Sequence, residues 1–142
     1  MSYSHKDDRY REAFDSHLKV FNSAGLLDVW HDRRIGPGDD WKGEIDRALE
    51  EADIVVFLVS AALLASDYCN DVEMKRALER QAAGDCRIVP IIVRDAKWQL
   101  SKLAGFQALP RNGKPITTWP NQDSAWRNVA DGLEHIIKTL PT

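Results

Sequence analysis

The chain has 142 residues, of which 44% are hydrophobic and 29% charged, which is the composition of one ordinary globular domain. Its formal net charge is -3 without a basic patch, so we expect neither nucleic acid nor an anionic membrane as a direct partner. Two cysteines are too few for a disulfide framework, which favours a reducing cytoplasm. No apolar stretch reaches the ~18 residues of a membrane span.

The amino-terminal half carries alternating helix and strand signals. Residues 8–24 have the apolar spacing of an amphipathic helix, and Gly25 is typical of the residue that follows a helix end. A short strand is predicted at residues 26–30, followed by a loop at residues 31–40 that is rich in glycine and proline. A second helix is predicted to begin near Trp41.

The remaining elements follow the same alternation. Residues 53–60 form an apolar run that predicts a strand buried on both faces, and residues 66–80 predict the helix after it. A further strand is predicted at residues 87–93, although Pro90 ordinarily marks an edge or a bulge. After a loop at residues 94–114, residues 115–118 predict a last short strand, and a closing helix ends near Leu140.

This order predicts an α/β fold with a mainly parallel sheet, formed by a single domain over residues 1–142. A sheet of this kind is expected to open with an apolar strand before the first helix. Only residues 1–4 occupy that place, so we expect the first strand to be truncated at its amino-terminal end.

Glu73 is the residue with the most chemical interest, because it follows a central buried strand where open α/β sheets place their ligand crevices. Its spacing from Asn70 also fits a capping box, with Asn70 as the N-cap and Glu73 returning to its backbone. The functional alternative is a carboxylate that the helix dipole keeps ionised, poised to stabilise a developing cation.

Three residues of the preceding loop region have open interpretations. Trp41 shares a helix face with Ile45, which is typical of a core aromatic, or it forms a platform for a flat ring. Arg33 and Arg34 are either solvated or positioned to meet phosphate.

Several site classes are excluded by their motifs. The glycines match neither the dinucleotide fingerprint nor the P-loop, the histidines lack metal-ligand spacing, and no serine-hydrolase elbow is present, so we expect no metal and no bound cofactor. A phosphoacceptor receiver domain needs an aspartate at the end of its third strand, where this chain has Val59 and Ser60.

Taken together, these segments resemble a TIR domain (Toll/interleukin-1 receptor type), in particular the bacterial branch. The opening SYSHKDD, the IGPG centre of the loop and the proline-bearing fourth strand carry the resemblance. The matching segments, in order, are residues 2–8, 32–41 (the BB loop), 54–60, 66–73 and 87–93.

The resemblance implies a flavodoxin-like three-layer sandwich with five parallel strands, in which Pro90 is accommodated. It also implies that Glu73 is the catalytic glutamate of members that cleave NAD+ as a substrate. Around it, the resemblance places Tyr3, Ser4, Asp32, Arg33, Trp41 and Cys69 near the nucleotide. Catalytic members often carry tryptophan where this chain has Cys69. The packing around the substrate ring therefore departs from the family pattern at this position.

Two functions are compatible with the resemblance. One is an NAD+ glycohydrolase, with possible cyclase products, that acts as the effector of a bacterial defence protein and is activated by self-assembly through the BB loop of residues 32–40. The other is a non-catalytic adaptor that works only by homotypic association. Glu73 favours the enzyme, and the resemblance further implies a fusion to a sensor domain and a cytoplasmic location.

Overall fold

The computed structural model describes residues 1–28, 30–35, 47–67 and 69–140. The described residues form a parallel sheet of four strands in the order β2-β1-β3-β4, which is the flavodoxin-like order. The strands are β1 (Ser2–Ser4), β2 (Arg33–Ile35), β3 (Ile54–Val59) and β4 (Arg87–Ile92). The helices are α1 (Asp8–Ser23), α2 (Arg47–Glu51), α3 (Ala61–Leu64), α4 (Lys75–Ala82) and α5 (Gln122–Thr139).

Helices cover both faces of the sheet, which confirms the α/β class. Val56 and Leu58 of β3 pack with α1 and α5, whereas Val55, Phe57 and Val59 pack with the layer of α2, α3 and α4. In the first layer the ring of Phe14 stacks on Trp126 with centroids 5.5 Å apart. The apolar run of β3 is continuous because its alternate side chains fill two separate cores, which confirms the predicted burial on both faces.

The second strand lies later in the chain than predicted. The described residues between 26 and 32 form no strand, and β2 falls inside the predicted loop of residues 31–40. Leu26 and Leu27 instead pack against the α1–α5 layer as single side chains. The backbone of β2 is fixed by its parallel pairing with β1, an interaction that no local apolar pattern reports.

The sheet edge at β4 explains Pro90. Leu109 donates its backbone N–H to Pro90 O at 2.9 Å and accepts from Ile92 at 2.7 Å, forming an isolated parallel bridge. The nitrogen of Pro90 therefore faces away from β3. On the side that it faces, the described residues form this isolated bridge and no strand. Among the described residues β4 is the last strand of the sheet, and this bridge is all that they show of the fifth strand that the resemblance implies.

The predicted strand at residues 115–118 is wrong. Ile116–Thr118 is a single 3₁₀ turn, in which the Thr118 N–H donates to Pro115 O and only Ile116 is buried. The two other turns of this kind in the preceding region, Trp98–Leu100 and Arg111–Gly113, agree with the predicted loop.

A buried carboxylate ties together the ends of three strands. Asp7, which is 0% exposed, follows β1 and accepts hydrogen bonds from Ser60 Oγ, after β3, and from Arg94 Nε, after β4, the latter at 2.8 Å. The Ser60 hydroxyl also accepts the N–H of Leu63 and so caps α3. The strand ends are therefore joined by charge-assisted bonds to a fully buried carboxylate, and the Arg94 side chain extends from it to the surface, where it is 45% exposed.

We expect Asp7→Ala to lower the free energy of unfolding by about 2–3 kcal/mol, because both hydrogen bonds to the buried anion are lost. Chemical denaturation measures the change. The matched control is Glu134→Ala, which removes an exposed carboxylate bound to Lys138 and should cost about 0.5 kcal/mol or less. Equal losses in the two variants would show that Asp7 contributes no more than a surface ion pair.

Candidate functional site

The side chain of Glu73 is buried against the sheet and held by two donors. Its residue exposure is 1%. Ser2 Oγ donates to Glu73 Oε2 at 2.6 Å, and Arg33 Nε donates to Glu73 Oε1 at 3.1 Å. Each carboxylate oxygen therefore has one strong partner, from a different strand, and retains capacity for a further hydrogen bond.

Glu73 lies in a π-helical turn, Cys69–Met74, which precedes α4 within the predicted helix of residues 66–80. Asn70 is inside this turn, where its N–H donates to Ser66 O and its side chain donates to Leu64 O. Asn70 is thus no N-cap, and the capping-box interpretation of Glu73 is wrong. π-helical turns of this kind occur frequently at functional sites.

The register of the sheet brings the two donors together. Ser2 pairs with Arg33 across β1 and β2, so both side chains project from the same face toward the layer of α3 and α4. Ser2 is also level with Phe57, two residues before the end of β3. Glu73 therefore lies over the sheet, slightly short of the strand ends where the crevice was predicted.

Burial dominates the electrostatics of this site. Loss of solvent raises the pKa of the Glu73 carboxyl above its ordinary value, while the Ser2 hydrogen bond and the charge of Arg33 act against the rise. The sequence predicted that the helix dipole keeps this carboxyl ionised, whereas burial raises its pKa. Beside it, burial and the Glu73 charge raise the pKa of the Cys69 thiol, so Cys69 is a neutral packing residue.

The other predicted site residues are distributed over both faces of the sheet. Tyr3 packs into the α1–α5 core, on the face opposite Glu73. Ser4 accepts the N–H of Lys6 and caps the 3₁₀ turn His5–Asp7. Trp41 lies outside the described residues. The structure therefore gathers Arg33, Cys69 and Glu73 at one place.

Ser2 is the site residue that the sequence analysis missed. The alternation of a strand would have assigned Ser2 and Ser4 to one face and Tyr3 to the other, but so short a segment looks like a terminal tail. Its partner Glu73 is 71 residues away in the chain, so no local pattern connects the two.

Asp32 belongs to an acidic cluster on the α1 face. Arg11 binds Asp15 with Nη1 to Oδ2 at 2.8 Å and lies 3.9 Å from Asp32 Oδ2. Trp30 Nε1 donates to Asp15 Oδ1 at 3.1 Å. Burial, a hydrogen bond to Asp15 and the negative charge of Asp15 raise the pKa of Asp32 to about 6.

We expect Asp32→Asn to stabilise the protein increasingly as the pH rises. The ordinary pKa of 3.8 applies in the unfolded chain, which therefore releases this proton before the native state, whose pKa is about 6. The wild-type protein loses stability across that window, and the variant does not. We expect a difference on the order of 1–2 kcal/mol at neutral pH, fading below about pH 4.

Denaturant unfolding at several values between about pH 4 and about pH 7 measures this difference. Asp131→Asn, which removes an exposed carboxylate paired with Arg127, is the matched control. A stability difference for Asp32→Asn that stays constant over the range would contradict the assignment.

Neither a metal site nor a membrane helix is found in the part of the chain that the structure describes. No cluster of three or more histidine, cysteine, aspartate or glutamate side chains within residues 1–28, 30–35, 47–67 and 69–140 has the arrangement needed to hold a metal ion. None of the helices in these ranges is long and apolar enough to cross a bilayer.

Comparison with known proteins identifies the family. The chain is 44% identical over 132 residues to y4lF, an uncharacterised protein of Sinorhizobium fredii (strain NBRC 101917 / NGR234). That match covers 93% of this chain and 41% of the relative, so the chain spans less than half of the relative's length. No solved structure matches the chain significantly. The family model for the TIR domain matches residues 1–129, from the strand that carries Ser2 through Glu73 into α5, and the chain belongs to the TIR domain family.

Proposed function

We propose that this TIR domain is an NAD+ glycohydrolase that cleaves the bond between nicotinamide and ribose. The observation that supports the proposal is that Glu73 is a buried carboxylate held by Ser2 and Arg33, and the resemblance to catalytic TIR domains implies that it corresponds to their glutamate. A structural helix cap would be turned toward its own backbone, whereas Glu73 faces two neighbouring strands.

The reaction needs a single carboxylate. Glycosidases use two because the leaving alkoxide must be protonated. Nicotinamide departs from a pyridinium as a neutral molecule and takes the bonding electron pair with it, so no general acid is required. The ribose is left as an oxocarbenium-like cation, which the ionised Glu73 stabilises. Water then adds to that carbon and loses a proton, which gives ADP-ribose.

Ser2 and Arg33 prepare the carboxylate for this role. Both donate to it, and both oppose the rise in pKa that burial causes, which keeps the anionic form accessible. The lone pairs that they leave free accept the ribose hydroxyl groups of the substrate.

Glu73 is approached from a cavity of about 410 Å³ that Ser2 and Arg33 also line. Glu73 is buried, whereas the side chain of Arg33 is 25% exposed. A shift of Arg33 would therefore widen the approach of NAD+ to Glu73. Arg33 begins β2, which leads directly into residues 36–40 of the proposed assembly loop, so a partner that engages this segment also moves Arg33.

We expect Glu73→Gln to reduce nicotinamide release by about 100-fold or more, because the amide keeps the shape but loses the charge that stabilises the cation. Glu79→Gln, the same change on α4 at an exposed residue bound to Arg76, is the matched control and should leave turnover unchanged. Retained turnover in the Glu73 variant, with thermal unfolding as the check on folding, would exclude the proposed role.

Assembly is the proposed activating step, through contacts of residues 32–40 with a second copy of the chain. A head-to-tail contact does not close on itself and builds open filaments. In the full-length protein of a bacterial cell, a fused sensor domain drives this assembly in the cytoplasm as a defence response.

We expect specific activity to rise steeply with protein concentration or on fusion to an oligomerising partner. Arg34→Glu should blunt the rise because the Arg34 side chain is 60% exposed, lies in the assembly segment and projects away from Glu73 toward Asp8. Lys138→Glu, an exposed charge reversal on α5, is the control. A turnover number that stays constant from nanomolar to high micromolar protein would show that one monomer carries a complete site.

A further inference from the structure

Two arginine side chains share one buried aromatic ring near the start of α1. Tyr10 is 2% exposed, and the guanidinium carbons of Arg9 and Arg94 lie 4.7 and 5.2 Å from its ring centroid. These distances place the two cations at most about 10 Å apart. Both residues are exposed, so a ligand has access to their charges. We refer to Arg9 and Arg94 as the arginine pair.

Arg94 is held in place through only one of its nitrogen atoms. Its Nε donates to Asp7 Oδ1 at 2.8 Å, while the other oxygen of Asp7 accepts from Ser60. Arg76 binds its carboxylate differently, because both its Nε and its Nη2 donate to Glu50, at 2.6 and 2.8 Å. Among the residues that the structure describes, none accepts from the Nη atoms of Arg94. The guanidinium group is therefore fixed and keeps donors available for a ligand.

Arg9 supplies a second cation that has no carboxylate of its own. Its Nη2 donates to the hydroxyl of Tyr10, and within the described ranges no acidic side chain lies at ion-pair distance from it. The adjacent carboxylate of Asp8 pairs with Arg11 instead, at 3.4 Å. Asp7 therefore offsets one of the two positive charges, and the arginine pair keeps a net positive charge.

The arginine pair lies where open α/β sheets bind their ligands. In the order β2-β1-β3-β4 the chain proceeds to one side from β1 and to the other side from β3, so these strands flank the topological switch point. Asp7 follows β1 and Ser60 follows β3, and their hydrogen bond spans this point at the carboxyl ends of the strands. Arg94 is anchored on Asp7, which places its guanidinium group beside the crevice.

We propose that the arginine pair is a binding site for a phosphate group. Guanidinium groups bind phosphate through paired N–H···O bonds, and both arginines have the donors for such bonds. Because Arg94 is already held by Asp7 and the Tyr10 ring, binding immobilises few further degrees of freedom.

The proposed phosphate site is separate from the Glu73 carboxylate. Tyr10 packs into the α1–α5 core, on the face of the sheet opposite Glu73. Ser60 also lies three residues beyond Phe57, the residue level with Ser2, which is about 10 Å further along the strand. The phosphate can belong to NAD+ bound at Glu73 or to a different phosphorylated small molecule. The chemistry that the arginine pair recognises is the same in both cases.

Isothermal titration calorimetry of the complete chain with inorganic pyrophosphate tests the site. We expect saturable binding that Arg9→Gln weakens by about tenfold or more, because charge-assisted hydrogen bonds are lost. Arg127→Gln, which removes an exposed cation paired with Asp131 on α5, is the matched control and should change the affinity less than about twofold. Thermal unfolding checks that both variants are folded.

The Nε–H signals of the arginines in NMR spectra locate the ligand. Those of Arg9 and Arg94 should shift as pyrophosphate is added, whereas that of Arg76, which is bound to Glu50, should stay in place. The proposal is overturned if the wild-type chain shows no saturable binding, or if Arg9→Gln and Arg127→Gln weaken binding equally.

Competition with NAD+ distinguishes the two sources of the phosphate. It is measured in the Glu73→Gln variant, in which we expect NAD+ to remain intact. Displacement of pyrophosphate by NAD+ would assign the site to the diphosphate of the substrate, and retention of pyrophosphate would assign it to a separate phosphorylated ligand. Pyrophosphate binding requires no turnover, so its presence or absence is decided independently of the proposed NAD+ cleavage.

Discussion

The burial of one carboxylate against the start of β1 and β2 is the constraint on which the arrangement depends. A buried carboxylate is stable only when hydrogen-bond donors replace water. Glu73 obtains them from Ser2 and Arg33, which are neighbours only because β1 and β2 pair in one register. Sheet pairing and site electrostatics therefore stabilise each other, and loss of either leaves a buried charge without its partners.

The π-helical turn allows Glu73 to take part in this arrangement. At its start, Asn70 satisfies the carbonyl groups of Leu64 and Ser66 through its side chain, so the irregular backbone keeps its hydrogen bonds. Cys69 and Met74 fill the core on the same side with 0% exposure. The turn is thus stabilised by local polar bonds and by packing, and Glu73 remains available for long-range contacts.

Much of the fold could be predicted from the sequence because its signals are local. The apolar run of β3 and the helical spacing of α1 and α5 reflect burial that each segment encodes in its own residues. β2 could not be placed, because Arg33–Ile35 has a single apolar residue and depends on pairing with β1. Glu73 was found from its position after β3, whereas its donors lie 71 and 40 residues away.

Charge fixes the register of β2 more strongly than its apolar content does. Arg33 projects to Glu73 on one face, while Asp32 and Arg34 project to Arg11 and Asp8 of α1 on the other. A slip of one residue that brings Asp32 to the place of Arg33 would put an acid beside Glu73 and remove its cation. Like charges at that distance in a buried site would raise the free energy of the native state. The alternation of side chains along β2 divides the predicted site residues between the two faces of the sheet, and their ion pairs on both faces favour the observed register. The ionisation of Glu73 is therefore coupled to the position of β2.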